Sequence, residues 1–167
     1  LTPREDVSNI LYWTMGSVAM RGWGHVQLIV PFFIIGAVMI LFHYRELNNM
    51  ALGEQSAQFA GMNVKRKKKI ILIGASILTG GAVAVSGAIG FVGLVIPHLV
   101  RLLVGANHRY VLPFSLFIGG GYLVLADVVA RTVIAPSELP IGVVTALIGS
   151  PIFTILLIQQ RMKKRNV

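Results

Sequence analysis

Long stretches without a charged residue constrain this chain more than any other feature. Asp, Glu, Lys and Arg are absent from residues 26–42, 70–100, 110–126 and 139–160, which together cover more than half of the chain. A helix needs about 20 mostly apolar residues to cross the hydrocarbon core of a membrane. Buried helices of a large soluble protein fit poorly, because 13% charged residues leave little polar surface to face water. The pattern predicts an all-α, polytopic bundle of transmembrane helices.

The stretch at residues 70–100 is too long for one span, and it contains several residues that interrupt helices. Gly87, Gly90 and Gly93 precede Pro97, so a fold-back is expected near residues 87–93. The next helix should begin near residues 96–97, since proline suits the first turn of a helix. Backbone without helical hydrogen bonds survives at membrane depth only under protein or a watery cavity, which places this turn inside the bundle. About five spans follow, at roughly 26–42, 70–86, 89–104, 110–131 and 140–158.

Positive charge is distributed unevenly over the connections between these spans. One side holds twelve of the 15 Lys and Arg residues, and only Arg4, Arg21 and Arg131 lie on the other. Because cytoplasmic loops are enriched in Lys and Arg, loop 43–69 and the C-terminus are expected in the cytoplasm. Segment 1–25 and loop 132–139 are then external. The net charge of +9 indicates topology and contact with a lipid membrane, not nucleic-acid binding. An odd span count with an external start indicates a missing N-terminal part.

The loop at residues 43–69 is long for a connection between two spans. Small apolar and polar residues alternate in its middle, and the spacing of Gly53 and Gly61 leaves room for two helical turns that end at Gly61. The residues alone support two interpretations equally. The loop is either a short cytoplasmic helix pair that docks into a partner's groove or a simple interfacial loop.

Few residues within the spans are suited to chemistry. Asp127 and Arg131 are four residues apart, so on a helix they can pair, and Arg131 can alternatively reach an acidic partner. His98 and Arg101 share a helix face, but a lone His beside a proline is more often structural. Neither a P-loop nor a hydrolase motif occurs, and no catalytic residue, metal site or cofactor is predicted. An intramembrane enzyme that uses His98 or Asp127 and a stand-alone channel are the alternatives.

Six segments taken in order resemble the permease subunits of type II ABC importers, the iron-siderophore, haem and cobalamin permease family. They are residues 12–17, 86–101, 107–113, 126–131, 136–146 and 149–153. The motif positions that they contain include Gly90, Gly93, Pro97, His98, Arg101, Asp127, Glu138 and Pro140. Members of this family are about twice as long and have ten spans built as inverted repeats. By resemblance, residues 1–167 are a single transmembrane domain, the C-terminal half of such a permease.

The resemblance also implies a function and further site residues. The family places its ATPase-coupling helices in the loop that here contains Ala51, Leu52, Gly53, Glu54, Gln55, Ala57 and Gly61. An arginine in the position of Arg131 meets glutamates of an extracytoplasmic substrate-binding protein. The implied partners are that protein, a separate ABC ATPase and a second permease copy, in the cytoplasmic (inner) membrane of a prokaryote. The implied cargo is a metal chelate, most commonly an iron-siderophore, with haem, cobalamin and molybdate also open.

Overall fold

A computed structural model describes residues 14–18, 21–133 and 139–165, and every regular element within them is an α-helix. The helices are α1 (Trp23–Leu41), α2 (Tyr44–Ala51), α3 (Glu54–Phe59), α4 (Val64–Ser86), α5 (Val92–Val104), α6 (His108–Thr132) and α7 (Ile141–Arg165). Within the described part of the chain, α1, α4 and α6 are long and apolar enough to cross a membrane, and Val92–Val104 and Ile141–Leu156 are shorter apolar helices. The all-α class is confirmed, and an apolar helix overlaps each of the five predicted spans.

The chain divides into two compact units. The described residues of the first unit are 14–18, Ser86–Val100, 115–133 and 139–165. Those of the second unit are 21–85 and Arg101–Phe114. The second unit therefore contains α1, α2, α3 and nearly all of α4, together with the last turn of α5 and the first turns of α6.

Close contact between glycines joins α1 and α4 in the second unit. A Cβ atom at Gly36 would lie 2.6 Å from Leu78 Cγ and 2.8 Å from the carbonyl oxygen of Gly74. Gly36 and Gly74 are both buried. Helices in a membrane gain little from the hydrophobic effect, so they associate through small residues that let their backbones approach. These two glycines therefore set the distance between α1 and α4.

Small side chains also build the core of the first unit. Ala126 and Ala130 of α6 are buried against Ile141 and Val144 of α7, with Val18, Ile89, Leu123 and Leu139 packed around them. Residues 14–18 are part of this packing, because the Ser17 amide donates to the Ser86 carbonyl oxygen at 2.8 Å. A Cβ atom at Gly142 would collide with the carbonyl oxygen of Met15. Residues 14–18 of the predicted external segment thus pack within the first unit.

The turn between α4 and α5 lies where the glycine pattern predicts it, but α5 begins earlier than expected. Its first residue is Val92, and Pro97 lies inside the helix. The expectation of a start near residues 96–97 was therefore wrong. Phe91 has φ of 64°, a left-handed conformation that is costly for a bulky residue, and it reverses the chain just before the helix. Pro97 leaves the Gly93 carbonyl oxygen without an amide donor from the next turn, an interruption that α5 accommodates.

Candidate functional site

The loop at residues 43–69 folds as a helix pair, α2 and α3, which pack on each other. The end of α3 explains why the second helix is so short. Gly61 has φ of 80°, its amide donates to Gln58 O at 2.9 Å, and the Met62 amide donates to Ala57 O at 3.1 Å. This pair of hydrogen bonds is a Schellman motif, in which a left-handed residue satisfies the last carbonyl groups. The loop therefore contains the predicted pair of short helices, and Gly61 ends α3 as predicted. Docking of this pair into a partner's groove stays a prediction.

Gly53 forms the link between the two helices. Its φ of 121° is a conformation that residues with a side chain rarely adopt. The Gly53 amide donates to Met50 O and its carbonyl accepts from the Ala57 amide, both at 3.1 Å. The same residue therefore ends α2 and starts α3, which fixes the angle between them.

The helix pair presents two large apolar side chains to its surroundings. Leu52 is 81% exposed and Phe59 is 92% exposed. Among the predicted coupling residues, Ala51, Glu54, Gln55 and Gly61 are also exposed. Ala57 is only 2% exposed, so it packs inside the helix pair and offers no side chain to a partner. Phe59 was not among the predicted coupling residues, although it is the one aromatic residue between Gly53 and Gly61 in the sequence.

Two acidic residues attach the helix pair to the basic start of α4. Lys67 Nζ lies 2.6 Å from Glu46 Oε1, and Lys68 Nζ lies 2.6 Å from Glu54 Oε1. Five consecutive basic residues, 65–69, occupy the first turns of α4, where the positive end of the helix dipole disfavours cations. Glu46 and Glu54 offset part of that repulsion. The pairing of Glu54 with Lys68 thus gives this predicted coupling residue a second, structural role.

The ion pair of Glu46 is the better protected of the two. Its side chains are 20% and 35% exposed, against 55% and 53% for Glu54 and Lys68. Burial by itself raises the pKa of Glu46, but the hydrogen bond from Lys67, a backbone hydrogen bond and nearby positive charge together lower it below its ordinary value. Glu46 therefore stays ionised under acidic conditions in which a free glutamate begins to take up a proton.

Asn48 of α2 joins the helix pair to the start of α6. Its Oδ1 accepts a hydrogen bond from the His108 backbone amide at 2.8 Å and lies 2.7 Å from His108 Nδ1. Its Nδ2 donates to Asn107 Oδ1 at 2.8 Å. Arg101 Nη2 lies 3.4 Å from His108 Nε2. The predicted motif residue Arg101 is thereby part of a polar cluster. No local pattern predicts this cluster, since Asn48 and His108 are 60 positions apart.

The far end of α6 holds the predicted docking residue. Arg131 Nε donates to Asp127 Oδ2 at 2.9 Å, and the two side chains are 44% and 24% exposed. The i, i+4 pairing predicted for these residues is confirmed. Pro140 is buried immediately before α7, and His98 is half-buried on α5. Glu138, the remaining predicted residue near this end, lies outside the described residues.

The two motif glycines at the start of α5, Gly90 and Gly93, have open space around them. No atom of the described chain lies within 4 Å of a Cβ placed at Gly90 or Gly93. A Cβ at Gly149 of α7 would instead lie 2.5 Å from the Cβ of Phe91. The contact that holds this turn is therefore made by Phe91 on Gly149. Phe91 also lines a cavity of about 500 Å³ with Met15, Gly142 and Ser150.

Comparison with known proteins agrees with a membrane-embedded helical transport protein. The model of the FecCD transport family matches residues 1–159. The chain belongs to this family. It is an integral membrane protein, and its candidate spans α1, α4 and α6 are among the segments that the family match covers.

Similar proteins come from both bacteria and archaea. The uncharacterized ABC transporter permease protein YvrB of Bacillus subtilis is 52% identical over 163 residues, covering 98% of this chain and 46% of that protein. The cobalamin import permease of Halobacterium salinarum is 43% identical, covering 92% of this chain and 41% of that protein. The hemin transport permease of Yersinia pestis is also 43% identical, covering 96% and 48%. The chain thus spans about half the length of the curated relatives it matches.

A solved structure supports the same comparison at the level of the backbone. An inward-facing structure of a proposed metal-chelate type ABC transporter superposes with a TM-score of 0.83 at 38% identity. The match covers 95% of this chain and 51% of that one. The fold of the chain is therefore that of half an ABC transporter permease.

Proposed function

We propose that this chain forms half of the permease of an ATP-driven importer that carries a metal chelate across the cytoplasmic membrane of a prokaryote. The C-terminus lies in the cytoplasm, and a second permease copy completes the pathway. A separate ABC ATPase binds the helix pair α2–α3. Arg131 contacts an extracytoplasmic binding protein. The cargo is an iron-siderophore by preference, with haem, cobalamin and molybdate as other candidates.

The exposed helix pair is the observation that carries this proposal. Leu52 and Phe59 leave most of their apolar surface uncovered next to a basic segment, outside the long apolar helices. Exposed large apolar side chains on a short, well-ended helix pair are typical anchors for a groove on a partner. The rigid Gly53 link and the two ion pairs with α4 hold these anchors in one orientation.

The anchor on α3 gives a direct test of ATPase binding. Phe59→Asp should weaken binding of the ATPase by about thirtyfold, the loss that corresponds to one aromatic hot spot of roughly 2 kcal/mol. Because Phe59 is 92% exposed, the permease itself should fold normally. Gln58→Asp is the matched control, since it adds the same charge at the neighbouring exposed position. Binding is measured by co-purification and titration of the permease that contains this chain with its ATPase. Equal affinity for both variants would remove α3 from the coupling interface.

Transport is tested with the same protein reconstituted in proteoliposomes with its ATPase and binding protein. We expect ATP-dependent uptake of at least one of four probes: radioactive iron bound to a hydroxamate siderophore, hemin, cyanocobalamin and molybdate. Phe59→Asp should abolish uptake, and Gln58→Asp should retain it. Uptake that persists without ATP would favour a channel over an ABC importer.

The outer arginine gives a test of the second partner. Arg131→Glu should weaken docking of the binding protein about tenfold at low salt and less at high salt, because salt screens exposed charges. Asp127→Asn is the companion variant, since it removes the ion pair of Arg131 and leaves its charge in place. Asp127→Asn should change the affinity of the binding protein by threefold or less, the range expected for one exposed ion pair. Docking of Arg131→Glu that matches the unaltered protein at both salt concentrations would refute the assignment.

A further inference from the structure

The N-terminus of α6 is closed by a side chain from a distant part of the chain. The first amides of a helix lack partners within the helix and need other acceptors. Asn107 caps locally, because its Oδ1 accepts from the Arg109 amide at 3.0 Å. The His108 amide is satisfied by Asn48 Oδ1 at 2.8 Å, and Asn48 belongs to α2. One helix of the pair thus caps another helix that is long enough to cross the membrane.

The hydrogen-bond pattern fixes the orientation of each group. Asn48 Oδ1 accepts from the His108 amide, so Asn48 Nδ2 faces Asn107 Oδ1 and donates to it at 2.8 Å. Since an amide oxygen can only accept, His108 Nδ1 must carry the hydrogen that points to Asn48 Oδ1 at 2.7 Å. In the neutral ring, Nε2 then accepts from Arg101 Nη2 at 3.4 Å. No alternative placement of the Asn48 oxygen and nitrogen satisfies all of these partners.

We propose that Asn48 is a positioning residue that transmits displacement of the helix pair to the start of α6. The group formed by Asn48, Asn107, His108 and Arg101, here called the Asn48 clasp, ties α2 to the end of α5 and the start of α6. Loss of α2 from this position would leave the His108 amide without its acceptor and would remove the hydrogen bond from Asn48 Nδ2 to Asn107 Oδ1. Motion of α2 therefore carries α6 with it. The inference rests on the proposed function, because it concerns how ATPase-driven motion of α2–α3 reaches the permease.

The connection is specific to one side of α2. Asn48 is half-buried and makes three polar contacts, whereas its neighbour Asn49 is exposed. The same helix is tied to α4 through the Glu46–Lys67 ion pair. α2 is therefore held at two points, on α4 and on α6. The far end of α6 carries Arg131, so one continuous helix contains both the clasped residue and the proposed docking residue.

The first experiment tests the clasp without reference to transport. In the purified permease that contains this chain, Asn48→Ala should speed hydrogen exchange of the His108 amide about tenfold, because the amide loses its one hydrogen bond to Asn48, and tenfold is the factor for a bond near the upper end of the ordinary range. Asn49→Ala should leave that exchange unchanged. Unchanged exchange in Asn48→Ala would overturn the clasp, whether or not the protein transports.

The second experiment tests transmission in proteoliposomes with the ATPase and the binding protein. Asn48→Ala should retain ATP hydrolysis but lower uptake per ATP about tenfold, while Asn49→Ala should behave as the unaltered protein. The probe is whichever of the four cargo probes the unaltered permease takes up. Normal uptake per ATP in Asn48→Ala would refute transmission. Absence of uptake by the unaltered permease would refute the proposed function instead, and the hydrogen-exchange result would still decide the clasp.

Two further variants cover the case in which Asn48→Ala does not assemble. Asn48→Asp keeps an acceptor for the His108 amide but turns a charged oxygen towards Asn107 Oδ1, so exchange of the His108 amide should change less than in Asn48→Ala. A permease with Asn48→Cys and Asn107→Cys, free of other cysteines, should show low uptake per ATP. Uptake per ATP should recover when a short bifunctional thiol reagent joins the two positions. Coupling that is lost in the double variant and stays lost after cross-linking would contradict a positioning role.

Discussion

The helix pair α2–α3 and the α6–α7 core are held in place by different kinds of contact. Ion pairs and hydrogen bonds position the helix pair. Two ion pairs join it to α4, and the side-chain amide of Asn48 joins it to His108 at the start of α6. Close packing positions α6 against α7, through Ala126 and Ala130, and Met15 lies against the bare backbone of α7 at Gly142. Polar contacts of this kind can break and re-form at little net cost in water, whereas packed backbones separate only by losing their contacts together. The two regions should therefore respond to different substitutions, the helix pair to loss of charge and the α6–α7 core to added volume.

The largest loss of stability is expected when a side-chain atom is added at a closely packed glycine. Gly142→Ala places a Cβ against the carbonyl oxygen of Met15, so a backbone segment must shift. Overpacking of this kind costs about 1–3 kcal/mol. Thermal unfolding of the purified protein in detergent should occur several degrees lower.

Gly120→Ala is the matched control for this substitution. Gly120 is also inside a long helix, and no described atom lies within 4 Å of a Cβ at that position. Because alanine favours helix by up to about 1 kcal/mol over glycine, this variant should be as stable as the unaltered protein or more so. If Gly142→Ala were the more stable of the two, close packing of Met15 on α7 would not be what stabilises this unit.

The second prediction concerns the end of α3 in the polar region. Gly61→Ala should destabilise α3 by about 1 kcal/mol, because its φ of 80° is unfavourable for a residue with a Cβ although space is open around it. Gly61→Asn should cost less, since asparagine tolerates this conformation. Hydrogen exchange of the α3 amides should be fastest in Gly61→Ala, slower in Gly61→Asn and slowest in the unaltered protein. Exchange of the α7 amides should be the same in all three. Equal exchange in both variants would mean that the Schellman motif does not limit the stability of α3.

Much of this architecture could be predicted from the sequence, because the signals are local or compositional. Charge-free stretches located the apolar helices, and the spacing of Asp127 and Arg131 predicted their ion pair. The ends of α3 followed from Gly53 and Gly61. Each of these depends on neighbours within a few positions of the chain.

The contacts that the sequence did not reveal are long-range or run against a local preference. The start of α5 was misplaced because Phe91 adopts a left-handed φ, which tertiary packing against Gly149 imposes and no local rule predicts. The burial of Ala57 depends on how α2 and α3 pack on each other. The Asn48 clasp joins positions 60 residues apart. Pairing over such a distance is set by how the helices pack, not by any spacing along the chain.

The smallest effect is expected at the ion pair of Glu46, and its pH dependence distinguishes the two regions. Because folding lowers the pKa of Glu46, the contribution of this pair is fully present above the ordinary value of 4.5 and is lost as the pH falls through the lowered value. Glu46→Gln should therefore destabilise α2 by about 0.5–1 kcal/mol at neutral pH and by progressively less at acidic pH. The rate of hydrogen exchange of the α2 amides, corrected for the intrinsic effect of pH, measures this loss of α2 stability at each pH.

Glu54→Gln is the control for this last prediction, since it removes the more exposed of the two ion pairs. Its effect should be smaller than that of Glu46→Gln, because solvent screens the pair of Glu54 with Lys68 more strongly. Neither variant should alter the exchange of α7, which lacks such a pair among its described side chains and is held by packing. An equal loss of protection from exchange in α7 would mean that low pH and removal of a charge destabilise the whole protein. The polar attachment of α2 would then not contribute to stability separately from the packing of α6 and α7.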